Sequence, residues 1–548
     1  MMNRTVTKSG IWAQRPRMPR RGHRAWPRWL SGLVLGAVLT LSACTAPIQS
    51  AARFNALRAE RVFAEGYANV LEKYIDPVDI AELTFRGVKN LDEIDPILDI
   101  ARTETGLRIA RGDSAGPEIR SPAGSDPHAW ARFTIRAVLA ARAVSGSVEA
   151  AGSEEIYSAV FNGALLPLDH HSRYDGLRSA RDSRAQREGF GGIGVRLNFE
   201  GELPKIVSIH ADTPASLSPL EAGDVITHID GLPIDGMERH DVIWSLRGLE
   251  GTLVTLTVTR ETRPDPISAT LKRALIFPQT VEFERKGGIA LIRITSFNQR
   301  TARDLEEIVG DLSEQTADPA VGLVLDLRSN PGGLLDQAVA VADVFLRSGT
   351  ILTTGGRHPE SVQRFNATGR DLSNGLPVVI LINGGSASAA EIVASALQDR
   401  GRAVVVGTNS YGKGTVQNIT RLPNDGELIL TWSRFRAPSG YILDQLGVFP
   451  NVCTSDLLAL TADRDLHEQV RRSASSATTT LTLWRTLIRS DESRRREIRQ
   501  ICPTGTDKPE IDLKVAREIL KDRHIYARML GMSSPGLATD KNSLPPSN

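Results

Sequence analysis

Hydrophobic positions along this chain change their period twice before the helical C-terminal segment. From residue 54 to 74 apolar side chains recur at the spacing of an amphipathic helix, and helical patterns continue to about residue 166. Residues 112–126, rich in Gly, Pro, Ser and charge, read as a loop. From 189 to about 276 the period shortens to two: GFGGIGVRL, PKIVSIHADTPA, GDVITHIDGLPI and GTLVTLTVTR predict short strands and turns, with one helix over 239–246. Between 281 and 450, apolar runs (IALIRIT, GLVLDL, VVILIN, AVVVG, LILTW) alternate with helical segments at 302–312 and 335–345, the order of an α/β core. Beyond Cys453 the pattern is helical and charged, and the last dozen residues read as disordered.

Composition alters this picture only at the ends. With 548 residues, 41% hydrophobic and 24% charged, the chain has the make-up of an ordinary globular protein of several domains. No acidic residue precedes Glu60, whereas eight Arg and Lys side chains lead into the apolar stretch 29–41, as in a secretory signal. That stretch is too short for the roughly 20 residues of a membrane span. It ends in Leu41, Ser42, Ala43 and Cys44, which resembles a bacterial lipobox. The expectation is cleavage before Cys44, lipid on its thiol and a membrane-anchored protein; simple secretion and a retained anchor helix are the alternatives. Thr45 after the cysteine favours the outer membrane where two membranes exist. Removing residues 1–43 takes the formal charge from +2 to −6, which makes the mature protein a poor nucleic-acid binder. Cys453 and Cys502 remain, and an even pair in an oxidising compartment suggests a disulfide, with two free buried thiols as the alternative.

Candidate chemistry concentrates in NGGSASAAEIVASALQDRGRAVVVGTNSYGKGTVQ, residues 383–417. Ser388 follows an apolar run and stands among small residues before a helical segment, with room for a substrate carbonyl. Lys413 lies on the glycine-flanked turn YGKG. A serine hydroxyl needs a base, and a lysine becomes one when desolvation lowers its pKa from about 10.4. In an extended chain Lys413, Thr415 and Gln417 point the same way, so Gln417 is placed to orient the amine. Ser386 and Ser395 compete as nucleophiles, the first as a possible helix N-cap and the second as a packing residue. GTNSYGK fits GxxxxGK, but the Ser or Thr and the helix of a phosphate loop do not follow. Adjacent His170 and His171 suggest a metal or a triad; successive residues point apart and no ligand cluster lies near, which favours surface or turn histidines.

These residues resemble the carboxyl-terminal processing proteases, serine endopeptidases with a Ser-Lys dyad and a PDZ domain. Ser388, Lys413 twenty-five positions on, and Gln417 occupy the family's places, and LPLDHHSRY, LDLRSNPGGLL, LPVVILIN, LTWSRFRAPSG and GVFPNV are similar to its landmarks from residue 67 to 452. Ala390 and Asn451 depart from the common pattern without touching the dyad. The resemblance implies a multidomain α/β protein: signal peptide 1–43, tether and helical N-terminal region 44–188, mainly-β PDZ domain 189–276, crotonase- or ClpP-like protease core 277–452, helical C-terminal extension 453–536 and tail 537–548. Gly191, Gly192, Ile193 and Gly194 would form the loop whose amides hold a peptide carboxylate, while the next strand accepts the peptide by β-addition. Oxyanion donors would be the N–H of Ala389 and one from Gly332 or Gly333. The expected partners are proteins with apolar C-terminal tails and, as for some relatives, a helical-repeat adaptor lipoprotein; no metal or organic cofactor is called for. A catalytically silent PDZ adaptor lipoprotein is the competing function.

Overall fold

A computed structural model describes residues 54–200, 203–314, 319–455, 457, 463–504 and 509–533. The predicted signal segment, Cys44 and the tail 537–548 lie outside the described residues.

The N-terminal body is built on helices Ala56–Lys73, Ile80–Lys89, Pro127–Val144 and Ser153–Leu165. Asn55, Asp79 and Asp126 each cap the helix that follows by accepting a first-turn N–H. Its core is aromatic, with Phe63, Tyr67, Tyr157 and Phe161 packed edge-on and tilted. Gly66 is required there because a Cβ would sit 2.5 Å from the Phe161 ring. This body is not wholly helical. Strands Leu98–Arg102 and Gly106–Arg111 form an antiparallel hairpin joined by two short strands, Ser114–Ala115 and Ile119–Arg120, inside the segment expected as a loop. Leu107 and Ile109 are buried from one face of it, a period of two too brief to stand out between long helices.

The β-rich unit has the strand order Arg263–Lys272, Leu253–Arg260, Val225–Ile229, Lys205–Ile209, Val195–Asn198, which leaves Val195–Asn198 at the edge. Its helix Arg239–Leu246 buries Val242 and Leu246 against the sheet. Inside, fully buried Asp224 accepts two bonds from Arg260, at 2.7 and 3.0 Å.

The α/β body carries a six-stranded sheet ordered Val281–Lys286, Ile289–Ile294, Gly322–Asp326, Val378–Ile382, Ala403–Gly407, Val452–Cys453, parallel after the first pair. A parallel sheet must be covered on both faces, and the runs VVILI and AVVVG are buried throughout. Val378, Ile380 and Ile382 face helices Thr301–Glu314, Leu335–Asp343 and Ala389–Asp399. Val379 and Leu381 face the other way, onto Val515, Ile519, Leu520 and Met529 of the C-terminal helices Pro509–Lys521 and Arg523–Ser533. Each such side chain contributes on the order of 2 kcal/mol by burial. Gly322 lets this cover close, since a Cβ there would lie 2.6 Å from Leu520. The extension therefore forms one wall of the body.

A second sheet, Gln363–Asn366, Thr350–Gly355, Glu427–Arg436, Thr415–Arg421, accepts Arg173–Asp175 as an added strand on Glu427–Arg436. Leu422, Leu428 and Leu430 of its hairpin enter the N-terminal core, so that body and the hairpin bearing Gln417 share one packing unit.

Candidate active site

Ser388 stands between the buried strand Val378–Ile382 and the helix Ala389–Asp399, with φ 53° and ψ −112°. A non-glycine residue rarely adopts that conformation, and here several bonds hold it. Asn383 Oδ1 accepts from Ser329 N at 2.8 Å and Gly385 N at 3.0 Å. Ala387 N donates to Asn330 O at 2.9 Å. Ser386 is not a helix cap: its Oγ accepts from Asn383 N and donates to Leu327 O, pinning the strand-to-helix loop to its neighbour. Ser395 is buried within the helix and donates to Ile392 O.

Lys413 comes from the turn after Ala403–Gly407, and the two halves meet at Glu391. This carboxylate is fully buried. Its Oε2 accepts from Ser388 N at 2.8 Å and Lys413 N at 2.9 Å, so the backbones of both residues converge on one oxygen. Its Oε1 accepts from Gly412 N at 2.7 Å and Ser410 Oγ at 2.5 Å. Burial raises the pKa of Glu391, and these four donors act against the rise. Gly414 has its backbone against Asp444, where a Cβ would come within 2.0 Å of the Asp444 amide nitrogen.

The Lys413 ammonium is substantially desolvated, which lowers its pKa; the Arg173 cation lowers it further, while Glu391 and Asp169 oppose. The turn 169–172 enters the site on the added strand. Asp169 Oδ1 accepts from His171 N, Ser172 N and Thr431 Oγ1. Thr431 Oγ1 in turn receives Gln417 Nε2 at 3.2 Å, and the same nitrogen reaches Thr415 Oγ1 at 2.9 Å. A bulge between Val416 and Gln417 sets Gln417 opposite Thr431. His171 is more than a turn residue: burial first, then the charge of Lys413, hold its pKa down at about 4, so it is neutral beside the lysine. No group of three or more metal-ligating side chains occurs among the described residues.

Gly332 lies directly against the serine. A Cβ on it would be 2.8 Å from Ser388 Cβ and 3.1 Å from Ala389 N. Its own N–H is taken by Asn330 Oδ1 at 2.8 Å, which leaves Gly333 as the candidate donor of the pair. Gly333, at φ 150°, is pressed on Phe297 O. A phosphate loop is ruled out by the same geometry, because Glu391 occupies the amides of Gly412 and Lys413 and a strand, Thr415–Arg421, follows instead of a helix.

In the β-rich unit, Gly191 and Gly192 belong to the strand Phe190–Gly192, paired with Ala274–Ile276, so the loop proper is shorter than expected. Ile193 is buried, and the carbonyls of Gly191, Ile193 and Gly194 accept from Gly248, Ala215 and His210. Gly194, φ 82°, faces Thr213, whose side chain would lie 2.2 Å from a Cβ. Cys453 and Cys502 are joined by a disulfide, S–S 2.04 Å.

Glu391, Asp169 and Thr431 escaped the reading of the sequence. Ser388-x-x-Glu391 does fit the Ser-x-x-Glu pattern of a helix start, which would have marked the glutamate.

Comparison with known proteins agrees with this architecture. Residues 288–454 match peptidase family S41 and residues 191–271 match the PDZ domain. A carboxy-terminal-processing protease of Bartonella bacilliformis is 42% identical over 301 residues, 55% of this chain and 69% of that protein. A probable CtpA-like serine protease of Staphylococcus saprophyticus is 32% identical over 304 residues, 55% of this chain and 60% of that one. Among solved structures, a photosystem II D1 C-terminal processing protease aligns over 72% of this chain and 92% of its own, at 22% identity and TM-score 0.37. The chain belongs to the carboxy-terminal-processing proteases of family S41, serine-type peptidases that carry a PDZ domain.

Proposed function

We propose that this protease is a lipid-anchored endopeptidase of the bacterial cell envelope, facing the periplasm, which selects apolar C-terminal tails through its PDZ domain and cleaves by a Ser388-Lys413 acyl-enzyme mechanism. The convergence of Ser388 N and Lys413 N on one buried Glu391 oxygen carries this reading. Neutral Lys413 takes the proton of Ser388 Oγ as that oxygen bonds to the scissile carbonyl carbon. The oxyanion is received by the N–H groups of Ala389 and Gly333, at the start of a helix whose dipole favours negative charge. Lys413 then gives its proton to the leaving amine, and water repeats the sequence to release the acyl group. Gln417, fixed by Thr415 and Thr431, is the residue placed to orient the amine.

The edge strand Val195–Asn198 next to Gly194 supports tail capture, because an edge offers unpaired backbone groups to an added peptide. Anchoring rests on the lipobox at Cys44 and the basic leader. The test is substrate trapping: Ser388→Ala expressed in place of the wild type should retain full-length envelope proteins with apolar tails, identified by mass spectrometry of the membrane fraction. Cleavage that persists in Ser388→Ala removes the mechanism. An unmodified Cys44 in a soluble mature protein removes the anchor.

A further inference from the structure

The C-terminal extension lies outside the matched peptidase segment, which ends at residue 454, yet it reaches both halves of the dyad. Helix Glu492–Arg499 presents Arg499 to the turn that carries Lys413. The Arg499 guanidinium donates to Ser410 O at 3.0 Å, to Tyr411 O at 3.4 Å and to Leu446 O. Backbone packing is so close that a Cβ on Gly412 or Gly447 would lie 3.3 or 3.0 Å from its Nη1. In the other direction, Asn409 Nδ2 donates to Arg499 O at 2.7 Å. Glu391 also holds Ser410, Gly412 and Lys413, so side chains from two separate helices fix the turn. Burial lowers the pKa of Arg499, and the Glu391 carboxylate acts against it.

Three residues past Arg499 the chain is fixed again. Cys502 is bonded to Cys453, whose strand pairs with Ala403–Gly407, and Thr504 lies against Gly384, where a Cβ would be 2.9 Å away. Residues 499–504 thus span from the lysine turn to the loop that leads into Ser388.

We propose that Arg499 is a positioning residue for the dyad, supplied by the C-terminal extension and kept in place by the Cys453-Cys502 bond. Its planar fork ties the carbonyls of two loops together and so fixes where the Lys413 amine stands relative to Ser388. The proposal rests on the Ser388-Lys413 reading. It involves no contact with substrate, so its loss acts on kcat and spares KM.

The test uses the full mature chain, fluorescein-labelled casein as substrate and Ser388→Ala measured alongside. Arg499→Ala should lower kcat about tenfold or more with KM within about twofold. Arg499→Lys, which keeps the charge without the fork, should recover part of that loss, and Arg496→Ala, exposed on the same helix, should match the wild type. Wild-type kcat in Arg499→Ala, while Ser388→Ala is inactive, overturns this inference and leaves the dyad standing; activity in Ser388→Ala overturns the dyad itself. If Arg499→Ala does not fold, Arg499→Lys and dithiothreitol treatment of the folded wild type decide. A reversible fall in kcat, with both thiols titrated, supports the proposal, and unchanged kcat with both thiols free refutes it.

Discussion

Two glycine-bearing segments, 191–194 in the PDZ domain and 410–414 at the lysine turn, look alike in sequence and are held in opposite ways. At the lysine turn the backbone donors of Gly412 and Lys413 are consumed by the buried Glu391 carboxylate. The loop is thereby frozen, and its free asset is the Lys413 side chain. At 191–194 the carbonyls are the engaged groups, and among the described residues no carboxylate takes the amides; the strand that follows is a sheet edge. That loop is held through its carbonyls and through the pairing of Phe190–Gly192 with Ala274–Ile276, which leaves Ile193 and Gly194 as the residues beyond the ladder. Whether a glycine loop positions a side chain or receives an anion depends on which of its backbone groups the protein itself satisfies.

The dyad should break first and most completely. Ser388→Ala and Lys413→Ala should each lower turnover by ~10³-fold or more, measured on casein, with folding intact by circular dichroism. Lys413→Arg should be equally inactive, because a guanidinium stays protonated and cannot serve as base. Activity in Lys413→Arg would remove the lysine from its role.

Glu391 tests what separates the two loops. Glu391→Ala leaves the donors of Ser388, Ser410, Gly412 and Lys413 without their buried acceptor, and should cost about 3 kcal/mol or more in urea unfolding together with nearly all activity. A variant that keeps wild-type stability would show that the lysine turn is held by other contacts.

The PDZ loop should respond to its ligand in a way the lysine turn does not. Amidating the C-terminus of a peptide substrate should reduce cleavage by about tenfold, chiefly through KM, as expected for loss of a charge-assisted bond to backbone amides. Gly194→Val should do the same, being strained at φ 82° and in collision with Thr213. Equal rates on free and amidated tails would make the loop structural.

The pH dependence should carry the smallest effects. Burial holds the Lys413 pKa below that of free lysine, so the neutral base accumulates as pH rises and kcat should climb along a single limb centred below about 10.4. His171, at about 4 in the fold against an ordinary 6.5, leaves the unfolded chain binding more protons between those values. Stability should therefore fall as pH drops from 6.5 towards 4, and His171→Gln should flatten that part of the curve in thermal melts.

The sequence by itself located the helix 239–246 and the buried strands of the α/β body, and it singled out the serine and the lysine proposed as nucleophile and base. These are local facts: a small-residue loop between an apolar strand and a helix, a lysine on a glycine turn, runs of β-branched residues. It missed the strands within 98–120, too short for their period to register beside long helices. It also could not show that Asp169, Glu391 and Arg499 come together around the lysine turn. Each is a polar residue whose own neighbourhood reads as turn or helix surface, and its partners are up to 262 positions away in the chain. The tertiary structure decided their placement, because only packing determines which backbone donors and acceptors are shut off from water. A buried carboxylate or guanidinium persists only where such groups converge on it.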